Sequence, residues 1–236
     1  MKGKLMVLAA VAALVLAPVA SALAEGFYVT PKVGYSYFKV ESESANIVPF
    51  GLAVGYDFMP AHDIPVRAEF EFAHRGKKEL FNKSEDNVDD GAGTTADNLF
   101  MKGKYGAQTF FINGYFDFHN SSPVTPYVGL GLGLARVSAE VSAGASNLVV
   151  SPDPAVDITL SGSTTKTNFA WNIGAGAAWK ITDNMALDLG YRYADFGKVN
   201  PDINYTGSFG TGTAMIWSKD TSVTAHDVML GLRISF

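Results

Sequence analysis

The sequence predicts an all-β protein: a transmembrane, antiparallel, up-and-down β-barrel of eight strands, preceded by a cleaved signal peptide. Three observations predict it. Apolar residues recur with period two in eight separate segments. The connections between those segments alternate short and long. Charged residues make up only 17% of the chain, against about 25% in an ordinary soluble domain, and they avoid one face of every segment.

Residues 1–24 have the features of a signal peptide. Lys2 and Lys4 give a positive start, residues 5–16 form an unbroken apolar run, and Ala22-Leu23-Ala24 is a small-residue cleavage site. The run is too short to span a bilayer as a helix. Removing 24 of the 236 residues takes away two of the 18 bases and none of the 23 acids, so the net charge moves from -5 to -7. Residues 25–236 are expected to form a single barrel domain. The acidic balance argues against nucleic acid as a partner. The absence of cysteine excludes a disulfide framework, a thiolate metal site and a cysteine nucleophile.

Four segments alternate clearly. Phe50, Leu52, Val54, Tyr56 and Phe58 alternate with small or polar residues, as do Val128, Leu130, Leu132 and Leu134 with Gly129, Gly131, Gly133 and Ala135. The others are residues 169–181 and residues 228–236. Weaker alternation covers residues 27–38, 65–75, 106–118 and 185–196. Each segment is about ten residues, the length of a tilted strand crossing a bilayer. The short connections are 59–64, 119–124 and 182–184, and the long ones 39–49, 76–104, 136–167 and 197–222. Short periplasmic turns with long outer loops are the layout of an outer-membrane barrel. Strand-like stretches at residues 156–160 and 213–217 leave ten strands as the alternative, although hairpins standing above the membrane are simpler.

The inward positions hold Lys32, Arg67, Lys180, Arg192 and Arg233 with Asp57, Glu69, Glu71, Asp117 and Asp188. Five bases against five acids suit a narrow lumen filled by side chains, in which buried charges pair. A narrow water path is the rival, because the many inward glycines leave room. No charge falls on the central outward face, as hydrocarbon contact demands. Arg75, Lys77, Lys78, Lys102 and Lys104 stand at the feet of the second long loop. There they are candidates for contacting phosphates of lipopolysaccharide.

Catalytic and metal sites are weakly supported. His119-Asn120-Ser121 falls in a short turn with no acid placed to orient the histidine. His74 and His226 could approach each other at the loop-side rim, but two histidines do not make a metal site. Asp86, Asp89, Asp90 and Asp97 fail the calcium-loop spacing because Val88 occupies a ligand position. No cofactor is expected.

The strand phrases Gly55-Tyr56-Asp57-Phe58, Gly114-Tyr115-Phe116-Asp117-Phe118, Pro126-Tyr127-Val128-Gly129-Leu130-Gly131 and Leu189-Gly190-Tyr191-Arg192-Tyr193 resemble a known family. So does the ending Leu230-Gly231-Leu232-Arg233-Ile234-Ser235-Phe236. The family is that of small outer-membrane β-barrel proteins of the opacity-protein and OmpA-like type, the porin-family surface antigens. The resemblance implies a Gram-negative-type outer membrane and a terminal aromatic, Phe236, read by the barrel-assembly machinery. It also implies a non-enzymatic surface protein, adhesin- or antigen-like, whose four outer loops meet host or matrix molecules. A narrow porin-like channel is the alternative, and a lipid-modifying enzyme a distant third. A monomer is expected.

Overall fold

The computed structural model describes residues 25–150, 153–200, 203–207, 210–213 and 220–236. The signal-peptide segment lies outside them. Among the described residues eleven strands form one antiparallel sheet, and eight of them close a ring. These eight are β1 (Phe27–Val40), β3 (Phe50–Asp57), β4 (Val66–Asp89), β5 (Thr94–Asp117), β6 (Val124–Val150), β7 (Val156–Lys180), β8 (Met185–Val199) and β11 (Thr221–Ser235). Closure is made by β1 on β11, from Tyr28 opposite Ser235 to Val40 opposite Val223. The last residue takes part, since Phe236 N–H donates to Phe27 O at 3.0 Å. Closure removes every sheet edge within the bilayer, where an unpaired backbone group would have no water. Among the described residues no helix is long and apolar enough to cross a membrane.

Period two sorts the side chains. On β5 and β6, Phe110, Ile112, Phe116, Val128, Leu130, Leu132 and Leu134 are exposed outward, while Phe111, Asn113, Asp117, Tyr127 and Ala135 are buried inward. A one-residue slip would exchange these faces, so the register is strongly specified.

The long connections are largely ladder. β4, β5, β6 and β7 run 24, 24, 27 and 25 residues. Crossing takes only about 9–11 residues, so more than half of each strand stands beyond the bilayer. β9 (Ile203–Gly207) adds to the free side of β7 at residues 158–162, and β10 (Gly210–Thr213) adds to β9. The result is a sheet projecting from one side of the barrel. Residues 156–160 are thus the upper part of β7 and not an extra barrel strand. Of the stretch 213–217, residues 214–217 fall outside the described residues. β2 (Glu43–Ile47) folds back on β1 as a short hairpin.

The inward glycines have a packing reason. A Cβ at Gly55 would lie 2.2 Å from the Tyr28 ring, and one at Gly129 would lie 2.4 Å from the Tyr115 ring. Each glycine makes room for an inward tyrosine from the next strand, so this space is occupied. Gly129→Val is expected to destabilise the barrel by about 1–3 kcal/mol through overpacking. Urea titration in detergent micelles would measure the loss, and an unchanged midpoint would refute the packing account.

Candidate functional site: the lumen and the outer face

The lumen is layered. At the periplasmic end, Arg67 grips Asp117 with two parallel bonds, Nε to Oδ2 at 2.6 Å and Nη2 to Oδ1 at 2.9 Å. Asp188 stands 3.9 Å from Arg67 and accepts the Tyr127 hydroxyl at 2.5 Å. The Arg67 guanidinium lies over the Tyr115 ring at 4.7 Å and the Tyr127 ring at 5.0 Å. A planar cation suits such a cage, because it can bond in its plane and stack on its faces.

At mid-height, Lys32 donates to Glu69 at 2.5 Å and to Glu71 at 2.7 Å. Its ladder neighbours are Gly51 and Gly231, which leave its stem free to cross the lumen. Arg192 Nη1 donates to Glu71 at 2.6 Å, and its Nε donates to Asp227 at 3.0 Å. Asp227 also accepts from Arg75 Nη2, and both residues are fully buried. The chain Lys32–Glu71–Arg192–Asp227–Arg75 therefore alternates in sign across the bore.

Towards the loops, the inner wall turns apolar. Phe38, Phe111, Phe196, Val137, Val199 and Val223 pack together with no exposure. The Arg75 guanidinium abuts this layer, 4.8 Å from the Phe196 ring. On the periplasmic side a small pocket remains, bordered by Tyr115, Asn172, Asp188 and Arg192.

The structure regroups the sequence-derived candidates. Lys180 has inward parity but ends β7 at the periplasmic rim, where its side chain is 60% exposed and pairs with Asp183 at 2.9 Å. Asp57, at the end of β3, accepts the Met59 N–H at 2.9 Å in the following turn. Neither joins the lumen network. Arg233 does face inward, but it lies over the Tyr28 ring at 5.7 Å and makes no ion pair among the described residues. Arg75, a candidate for the lipid surface, is inside the barrel, paired with the buried Asp227. Their parity was the available signal. The exchange keeps the lumen balanced: Lys32, Arg67, Arg75, Arg192 and Arg233 face Glu69, Glu71, Asp117, Asp188 and Asp227.

The remaining candidates resolve into local structure. His74 sits beside Phe50 and Gln108, whereas His226 bonds Tyr191 at 2.7 Å, so they do not meet. Asn120 ties the 119–124 turn through Phe118 O and Val124 O. Asp89 and Asp90 accept backbone N–H groups of Gly91, Ala92 and Thr94 at the tip of the second long loop. The bonds from Thr94 and Ala92 hold the Asp90 carboxyl below the usual carboxylate range. Asp86 and Asp97 accept from Asn98 and Asn147.

A closed eight-strand ring with an apolar exterior and a charged interior is the architecture of a bacterial outer-membrane barrel. Residues 6–236 match the outer membrane protein β-barrel domain. The chain belongs to that family. This outer-membrane barrel is 33% identical over 232 residues to the outer membrane protein PagN of Salmonella typhimurium, with 90% of each chain covered. It is also 27% identical over 139 residues to a putative adhesin of Rickettsia conorii, covering 56% of this chain and 49% of that one. Among solved structures, Neisserial surface protein A aligns with a TM-score of 0.49 at 17% identity, covering 89% of this chain and 97% of that one. The barrel is thus an integral protein of the outer membrane, related to PagN.

Proposed function

We propose that this barrel is a non-conducting surface protein that presents its projecting sheet to extracellular partners, in the manner of an adhesin. One arrangement supports the reading: ion-paired layers and an apolar layer stand across the bore, while four strands run more than twice the length a crossing needs. A sheet raised on a rigid ring is a scaffold for binding, since exposed loops on rigid supports commonly carry recognition. The relationship to a putative adhesin agrees with this role. Host or matrix molecules are the proposed partners, and no catalytic or cofactor role is assigned. Phe236, which closes the ring through Phe27, is the proposed assembly signal.

Two measurements test the proposal. Refolded protein in planar bilayers is expected to give no steps above baseline, and discrete steady steps would favour the narrow-channel alternative. Cells displaying the barrel with residues 79–104 replaced by a short turn are expected to lose adherence to cultured host cells while keeping heat-modifiable migration. Undiminished adherence would remove the adhesin role from that hairpin.

A further inference from the structure

On the outward face, the last lipid-facing row runs Phe72, Phe110, Leu134 and Phe169 across β4 to β7. The next outward row is His74, Gln108, Arg136 and Thr167. Two residues further along a strand is about 7 Å, which carries the wall from hydrocarbon into the headgroup zone.

A hollow opens just above. The ladder of β4 on β5 slips between Arg75 and Lys78, so Gly76 and Lys77 oppose Gly106 alone. A Cβ on Gly106 would come within 2.9 Å of Arg75 O, so glycine keeps the floor low. The groove has an open volume of about 600 Å³ and is bordered by His74, Lys77, Gln108, Arg136 and Ser138. A second hollow of about 770 Å³ adjoins it, bordered by Lys102, Lys104, Glu140, Ser142, Ser161 and Ser163.

Lys77 holds Glu140, which borders the second hollow, at 2.6 Å, and Glu79 lies opposite Lys104 in the ladder. The hydrogen bond from Lys77 keeps the Glu140 carboxyl below its ordinary range. Arg136, Lys102 and Lys104 make no ion pair among the described residues, and all three are exposed. Lys78 lies opposite the buried Tyr105 and so belongs to the inner face. The opposite wall differs: one outward row of β8, β11 and β1 is Tyr193, His226 and Tyr37.

We infer that the outward wall of β4, β5 and β6 holds a phosphate-binding groove for outer-leaflet glycolipid, with Arg136, Lys104 and Lys102 as its cations. Serine and threonine hydroxyls beside them supply further donors, and the glycine floor admits the headgroup. The groove opens on the outer wall, below the tip of the second long loop.

The test uses native mass spectrometry of the refolded mature protein in neutral detergent, titrated with diphosphoryl lipid A. Dephosphorylated lipid A and inorganic phosphate are run as separate probes. Each bound cation near an anionic surface contributes about 1 kcal/mol, so Lys104→Gln with Arg136→Gln is expected to weaken diphosphoryl lipid A binding about 10- to 30-fold. Lys39→Gln with Lys198→Gln, on the opposite wall, should leave it unchanged. Lys104→Arg with Arg136→Lys should restore binding to within a few-fold, with heat-modifiable migration reporting the fold of every variant. Equal loss from the opposite-wall pair, or equal binding of dephosphorylated lipid A, would overturn the groove. Displacement of lipid A by millimolar inorganic phosphate would make it a free-anion site and overturn the lipid assignment.

Discussion

Asp227→Ala is expected to lower the unfolding free energy of the barrel by about 3–5 kcal/mol, because it removes the one carboxylate that Arg75 holds among the described residues. Asp227 accepts from both Arg75 and Arg192, and the Arg75 guanidinium has no water to turn to. Arg192 keeps Glu71 at 2.6 Å. Arg75 would retain only Thr109, at 3.3 Å, and its Nε already lacks a partner. The cost therefore falls mainly on Arg75. Replacing both members, Arg75→Met with Asp227→Leu, should recover most of the loss, since an apolar pair beside Phe196 extends the layer above. Urea titration in detergent micelles would separate the cases. If the double variant is as unstable as Asp227→Ala, the pair itself, and not the stranded charge, supplies the stability.

Ile112→Arg is the second large effect, expected to cost about 2–4 kcal/mol if folding is measured in lipid bilayers. Ile112 lies mid-span on β5 and is 69% exposed to the outside. A guanidinium there has no counter-ion and meets hydrocarbon. Ser142→Arg, on the same outward face of the neighbouring strand but above the bilayer, is expected to change stability by less than about 0.5 kcal/mol. The contrast isolates depth from the bare act of adding charge to the wall. Equal, small costs at both positions would mean that Ile112 does not face lipid.

Much of this molecule was legible because alternation is local. A strand's parity assigns each side chain to lipid or lumen without reference to any other strand, and Lys32, Arg67, Glu69, Glu71, Asp117, Asp188 and Arg192 fell on the inward face accordingly. Parity also faced Lys180, Asp57, Arg75 and Asp227 inward, yet parity says nothing of depth. Lys180 and Asp57 stand where the wall ends and water begins, so each turns to its own turn. Arg75 and Asp227 stand where the wall continues, because paired strands and the apolar layer carry the enclosure past them.

The low charge fraction, the empty lipid face, the alternating strands and their number were set by the sequence alone, since bilayer thickness fixes strand length and hydrocarbon excludes charge. Three things were decided only by the tertiary structure: where the enclosed bore stops, which cation meets which carboxylate, and which bases share a wall. Each depends on the register and extent of pairing between strands distant in the chain. Arg75 and Asp227, 152 residues apart, meet only when the ring closes.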